Sequence, residues 1–91
     1  MDYSKELLEK IQDLARKLTP ISEMGALLDL DERILKDDIN TIGNPARAAF
    51  YKGYAETALK ARERNLDLAE AGSPSAEDAI EHYISRMMNE L

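Results

Sequence analysis

His82 is the only histidine of this 91-residue chain, and the acid beside it is Glu81. One imidazole next to one carboxylate gives neither the spacing of a metal site nor a nucleophile held against a base. Asp29, Asp31, Glu32, Asp37 and Asp38 form a cluster of carboxylates. The D-x-D-x-D-G spacing of a calcium loop is absent, and helix capping with solvation accounts for them more simply. The glycines are isolated, so no loop can cradle a phosphate. There is no cysteine, which removes disulfides and thiolate metal sites together. Neither an enzyme, a cofactor nor a metal is expected.

Two groups of residues could still do something. If residues 31–42 are helical, Arg33, Lys36, Asp37 and Asn40 face outward, with Thr41 beside them. In a helix-turn-helix, that outward face is the one that reads base edges; in an ordinary bundle it is a solvated surface. The second group is the basic run Arg47, Lys52, Lys60, Arg62 and Arg64. Arg47 and Lys52 are near the first group in sequence. The other three fall roughly 12–25 Å further along a helix, as a separate patch. Net charge of −6 argues against a strongly electrostatic nucleic-acid binder. The charge is uneven, however: −4 over residues 1–43, +3 over 44–64 and −5 over 65–91. One segment can meet phosphates while the others avoid them.

The elements that must position these side chains follow from capping residues and apolar periodicity. Ser4 caps a first helix over residues 4–18, whose Leu7, Ile11, Leu14 and Leu18 form one stripe. Thr19 reads as the cap of a short second helix, with Pro20 at its first position and Ile21, Met24, Leu27 and Leu28 as its apolar face. Asp29-Leu30-Asp31 is a turn in which Leu30 plugs the core and Asp31 caps the third helix. Leu35, Ile39 and Ile42 are the stripe of that helix, with Ile34 beside it. Gly43-Asn44-Pro45 and Gly72-Ser73-Pro74 share one stop-and-start grammar. They bracket a long helix from about Pro45 to Ala71 with two apolar tracks, one through Phe50, Tyr54, Ala58, Ala61 and Leu68 and one through Tyr51, Ala55, Leu59, Leu66 and Ala69. Such a wide stripe suggests contact on more than one side. A last helix carries Ala76, Ile80, Tyr83, Ile84, Met87 and Leu91 and doubles back as an antiparallel hairpin, with Met87-Met88 in the hairpin core. No apolar run reaches the roughly 20 residues of a membrane span, and no signal peptide is visible, so an intracellular soluble protein is expected.

The segment GALLDLDERILKDDI, followed by FYKGYAETALKARERNLDLAEAGSPSA and an amphipathic last helix, resembles small phage and prophage terminase small subunits and terminase-like helix-turn-helix proteins. Gly53, Ala55, Leu59, Arg62, Leu68, Ala69, Gly72, Pro74 and Ala76 carry the likeness in the long helix and beyond, and it covers most of residues 20–90. The resemblance implies a non-enzymatic protein that recognises double-stranded DNA for packaging, in the cytoplasm of a bacterial host. It implies a helical hairpin that drives homo-oligomer formation and a terminase large subunit as a further partner. Arg33, Lys36, Asn40 and Thr41 become the DNA-facing positions, to which the basic run adds Arg47 and Lys52. Phe50, Tyr54, Ala58, Leu59, Leu66, Tyr83 and Met87 become the oligomerisation face. The acids of the third helix depart from a phosphate-binding surface, and the chain stops at Leu91 with little tail for a motor contact. The expected fold is thus all-α: a three-helix helix-turn-helix region over residues 1–43, then a helical hairpin over 44–91, the two forming one compact domain. The alternative from a different class is a protein–protein adaptor or structural helical bundle whose helix-turn-helix is architectural only, with no DNA role.

Overall fold

A computed structural model describes residues 1–91 as five helices with no strand. They are α1 (Lys5–Arg16), α2 (Ile21–Leu28), α3 (Glu32–Ile39), α4 (Pro45–Glu70) and α5 (Pro74–Asn89). The all-α class read from the sequence is the class observed. No helix is long and apolar enough to cross a membrane.

Helix starts follow side-chain caps. The Leu7, Ile34 and Ala76 N–H groups donate to Ser4 Oγ, Asp31 Oδ1 and Ser73 Oγ at 3.1, 3.1 and 3.4 Å, and the Ala46 N–H donates to Asn44 Oδ1 at 2.9 Å. Each bond satisfies one of the N–H groups that a helix leaves without a partner at its start. The start of α2 departs from expectation. Thr19 does not cap it; Pro20 occupies the cap position in extended conformation, without a side-chain bond, and its carbonyl accepts the Met24 N–H at 2.9 Å.

Three helix ends share one closure. The N–H groups of Thr19, Leu30 and Ser73 donate to the carbonyls five residues earlier, Leu14, Gly25 and Leu68, at 3.0, 2.9 and 3.0 Å. Each closure needs the residue before the donor to be left-handed. That residue is Gly72 at φ 90° after α4, but Asp29 at φ 55° after α2 and Leu18 at φ 61° after α1. Leucine in this conformation is strained by about 1–2 kcal/mol because its Cβ crowds the next carbonyl. Helix α1 therefore stops at Arg16, and Leu18 leaves the stripe it was expected to complete and is exposed.

The chain forms two compact units, Met1–Thr57 and Ala58–Leu91, rather than dividing at residue 43. The core of the first joins Ile11 and Ala15 of α1, Met24 of α2, Leu35 and Ile39 of α3, and Ala46 of α4. Phe50, Leu30 and Leu28 are half-buried against it. The beginning of α4 is thus a fourth helix of this bundle. Gly53 is what lets it approach. A Cβ there would overlap the Gln12 carbonyl oxygen and stand 2.9 Å from Gln12 C and 3.0 Å from Arg16 N. Around that crossing, Gln12 Nε2 donates to Glu56 Oε1 at 3.3 Å, and Thr57 Oγ1 donates to the Arg16 carbonyl. Ile42, expected in the α3 stripe, is 89% exposed, because α3 ends at Ile39.

The second unit is the remainder of α4 folded back on α5, as the expected antiparallel hairpin. Asn65 Nδ2 donates to the Tyr83 hydroxyl at 2.7 Å across it, and Ala76 is its one fully buried side chain. Met87 and Met88, expected in the hairpin core, are exposed instead.

Two substitutions test this account. Gly53→Ala gains about 1 kcal/mol of helix propensity but forces α4 off backbone atoms that cannot yield, for a net loss of about 1–3 kcal/mol in urea unfolding. Leu18→Gly relieves left-handed strain at the expense of a more flexible unfolded chain, and is expected to stabilise by about 0.5–1 kcal/mol in the same measurement.

Candidate nucleic-acid interface

The candidate surface is built on the turn between α2 and α3. Gly25 is buried, and a Cβ on it would stand 3.2 Å from the Leu30 carbonyl oxygen, so the turn folds tightly over a residue without a side chain. Asp29 supplies the left-handed residue, which Asp tolerates better than most, and Leu30 is half-buried against the core. Leu35 and Ile39 then fix the roll of α3 by facing inward.

Two side-chain ties from other elements hold α3. Near its C-terminus, Tyr3 Oη donates to Asp38 Oδ2 at 2.6 Å, and burial with the Asp38 carboxylate pushes the tyrosine well above its ordinary pKa. At the helix end, Arg47 Nη1 donates to the Ile39 carbonyl at 2.9 Å, while the guanidinium lies 4.5 Å from the centre of the Tyr51 ring. A cation there satisfies a carbonyl the helix leaves open and opposes the negative end of its dipole.

What remains outward is narrow. Arg33 and Lys36, three residues apart on one side of α3, are exposed and without an ion-pair partner. With Asp31 and Glu32 they line a shallow surface depression of about 440 Å³. Asn40 Nδ2 and Thr41 Oγ1 donate to the Lys36 and Asp37 carbonyls at 2.9 and 2.7 Å, so both side chains close the end of α3. Arg47 is likewise held by α3, as above. Lys52 is exposed on α4 without a partner, five residues beyond Arg47. Of the six sequence-predicted DNA positions, then, Arg33 and Lys36 share a free face, Lys52 is free elsewhere, and Asn40, Thr41 and Arg47 carry structural bonds. Lys17, just past the end of α1, and Arg16, its last residue, are also engaged, both on Asp13 at 2.9 and 2.6 Å, and this holds the Asp13 carboxyl below its usual range.

The acids around Arg33 and Lys36 divide in the same way. Asp31 accepts the capping bond of α3 and Asp38 accepts from Tyr3, which leaves Asp29, Glu32 and Asp37 to water. Two apolar side chains, Leu27 and Ile34, are exposed beside the turn. His82 and Glu81 are exposed on α5, and no three acidic or histidine side chains converge to hold a metal.

The positions expected to mediate oligomerisation also separate. Phe50 packs on the core of the first unit and meets Tyr51 edge-on, and Tyr54 is half-buried in that unit. In the second unit Ala58 and Tyr83 are half-buried, whereas Leu59, Leu66 and Met87 are exposed. Ile84 and Met88, which the oligomerisation set left out, are exposed as well. Period alone placed them in the intramolecular stripe; it could not show that one partner helix covers only part of that stripe. No family model, curated protein or solved structure matches this chain.

The ties on α3 are testable through Arg47. Arg47→Ala removes a charged bond to a helix-end carbonyl together with the ring contact, and is expected to lower stability by about 1–2 kcal/mol in denaturant unfolding. Arg47→Lys should recover only part of that loss, since an ammonium lacks the planar fork that bonds and stacks at once.

Proposed function

We propose that this chain is a non-enzymatic DNA-recognition and assembly protein similar to the phage terminase small subunits, working in a bacterial cytoplasm. The observation that carries this reading is the unpaired Arg33–Lys36 edge of α3, held outward behind the tight Gly25–Asp29 turn. In that geometry the first turns of α3 enter the major groove, Arg33 and Lys36 meet base edges or phosphates, and Lys52 adds a backbone contact. Two or three free cations per copy make a weak single contact. Several copies on one duplex convert later contacts into intramolecular ones and raise the overall affinity. Recruitment of a large packaging subunit is part of this proposal.

The second reading is a protein–protein adaptor. The exposed Leu27 and Ile34 beside the turn, together with the acids Asp29, Glu32 and Asp37, favour it, since such a surface suits a protein partner better than a phosphate backbone.

Fluorescence anisotropy with duplex DNA over a salt series separates the two. DNA binding should weaken as salt rises, and Arg33→Ala and Lys36→Ala should each lower affinity several-fold and reduce the salt slope by about one. Absence of binding at low salt would refute the DNA reading and leave the adaptor.

A further inference from the structure

The hairpin unit has an apolar face that its own chain leaves open. Asn65 and Tyr83 are bonded to each other across the hairpin, which marks the inward side of each helix. Leu66 and Ile84 follow them by one residue, a step of about 100° round each helix. Antiparallel right-handed helices take that step toward the same side of the pair. Leu59, seven residues before Leu66, and Met88, four after Ile84, continue the two rows on that side. These four side chains are 52%, 49%, 54% and 54% exposed for Leu59, Leu66, Ile84 and Met88.

We propose that a second copy of this chain covers the face, so that two hairpins close an antiparallel four-helix bundle with the tip of each beside the open end of the other. The proposal rests on the assembly part of the function above and adds the partner, the face and the orientation. Shape supports a second hairpin. The face is roughly 20 Å long and two helix diameters wide, on the order of 400 Å², and an identical face matches it in both length and width. The unit also needs a partner: one fully buried side chain, Ala76, is little core for residues 58–91, and pieces below about 40 residues seldom stand alone.

Charge sets the orientation. Around the tip, residues 65–85 hold Asp67, Glu70, Glu77, Asp78 and Glu81 and no Lys or Arg, for a charge of −5. The open end, residues 58–64 with 86–91, holds Lys60, Arg62, Arg64 and Arg86 against Glu63 and Glu90, for +2. A parallel pair would set ten tip acids against one another. An antiparallel pair sets each acidic tip beside a basic end, with Glu70 of one α4 near Arg62 of the other and Lys60 further round that same end.

Sedimentation velocity on the full chain without DNA, from low to about 100 µM, tests this, with circular dichroism to show that each variant keeps its helix content. Twice the monomer mass is expected, and Leu66→Lys with Ile84→Lys should return it to monomer. Reversing the tip with Glu70→Lys and Glu81→Lys should weaken pairing by roughly tenfold. Adding Lys60→Glu and Arg62→Glu to that variant should restore it. A monomer throughout the range, a trimer or larger ring, or a tip variant that pairs like the parent would each overturn the proposal. DNA binding by a monomeric sample would remove the pairing and leave the DNA reading intact.

Discussion

The crossing of α1 and α4 at Gly53 constrains the whole first unit. Helices usually meet with axes 8–10 Å apart, separated by side chains; here the α4 backbone comes down on the Gln12 carbonyl and the Arg16 amide, where no Cβ fits. A glycine within a long helix costs about 1 kcal/mol in propensity, which the contact must return. It does so by drawing the start of α4 into the bundle, so that Ala46 joins the buried core and Phe50 covers its edge. It also gives Gln12 and the Arg16 carbonyl partners from α4 in Glu56 and Thr57. Without that approach α4 would have no reason to lie beside α3, and Arg47 would have no helix end to hold.

Arg47 shows the consequence for the candidate surface. A small bundle has few long polar side chains, and its architecture takes several of those that a DNA-binding reading would use. Arg47 closes α3, Asn40 and Thr41 satisfy its last turn, and Arg16 and Lys17 gather on Asp13. Exposed ion pairs such as those with Asp13 contribute little stability, yet they lower the positive charge that the surface offers to a phosphate. What α3 presents is the remainder after its own ends are satisfied.

Four of the five helix starts were legible in the sequence because a cap is local: Ser4, Asp31, Asn44 and Ser73 each bond an amide two or three residues ahead, whereas α2 starts at Pro20 without a side-chain bond. Helix ends were half legible. Gly43 and Gly72 announce positive φ, but Leu18 adopts the same conformation against its preference, imposed by the closure onto Leu14 and by the entry into α2 through Pro20. Ile42 looked like a stripe residue because period says nothing about where a helix stops. The division of the chain was hidden for a related reason. Gly53 reads as a weak point in a helix, and only the backbone of α1 lying against it shows it as a contact. At the candidate surface, Arg33 and Lys36 were legible from period and charge, whereas the ties of Asn40, Thr41 and Arg47 depend on where α3 ends.

Whole-chain charge is a poor guide to what α3 can approach. At physiological ionic strength exposed charges are screened over about 8 Å, so the field at Arg33 and Lys36 comes from their immediate neighbours. Those neighbours are mostly acids, but not equally effective ones. The Asp31 carboxylate is turned toward the amides of its own helix start, where the dipole offsets it. Asp38 shares a short bond with the Tyr3 hydroxyl, which spreads its charge away from solvent. Asp29, Glu32 and Asp37 face water without a bond, the last two on the same helix as the two cations. With three water-facing acids against two cations, the local balance is mildly rather than strongly negative. Such a face gives no long-range steering toward a phosphate backbone, so any affinity it has for a duplex must come from close contact and from repetition of that contact in other copies.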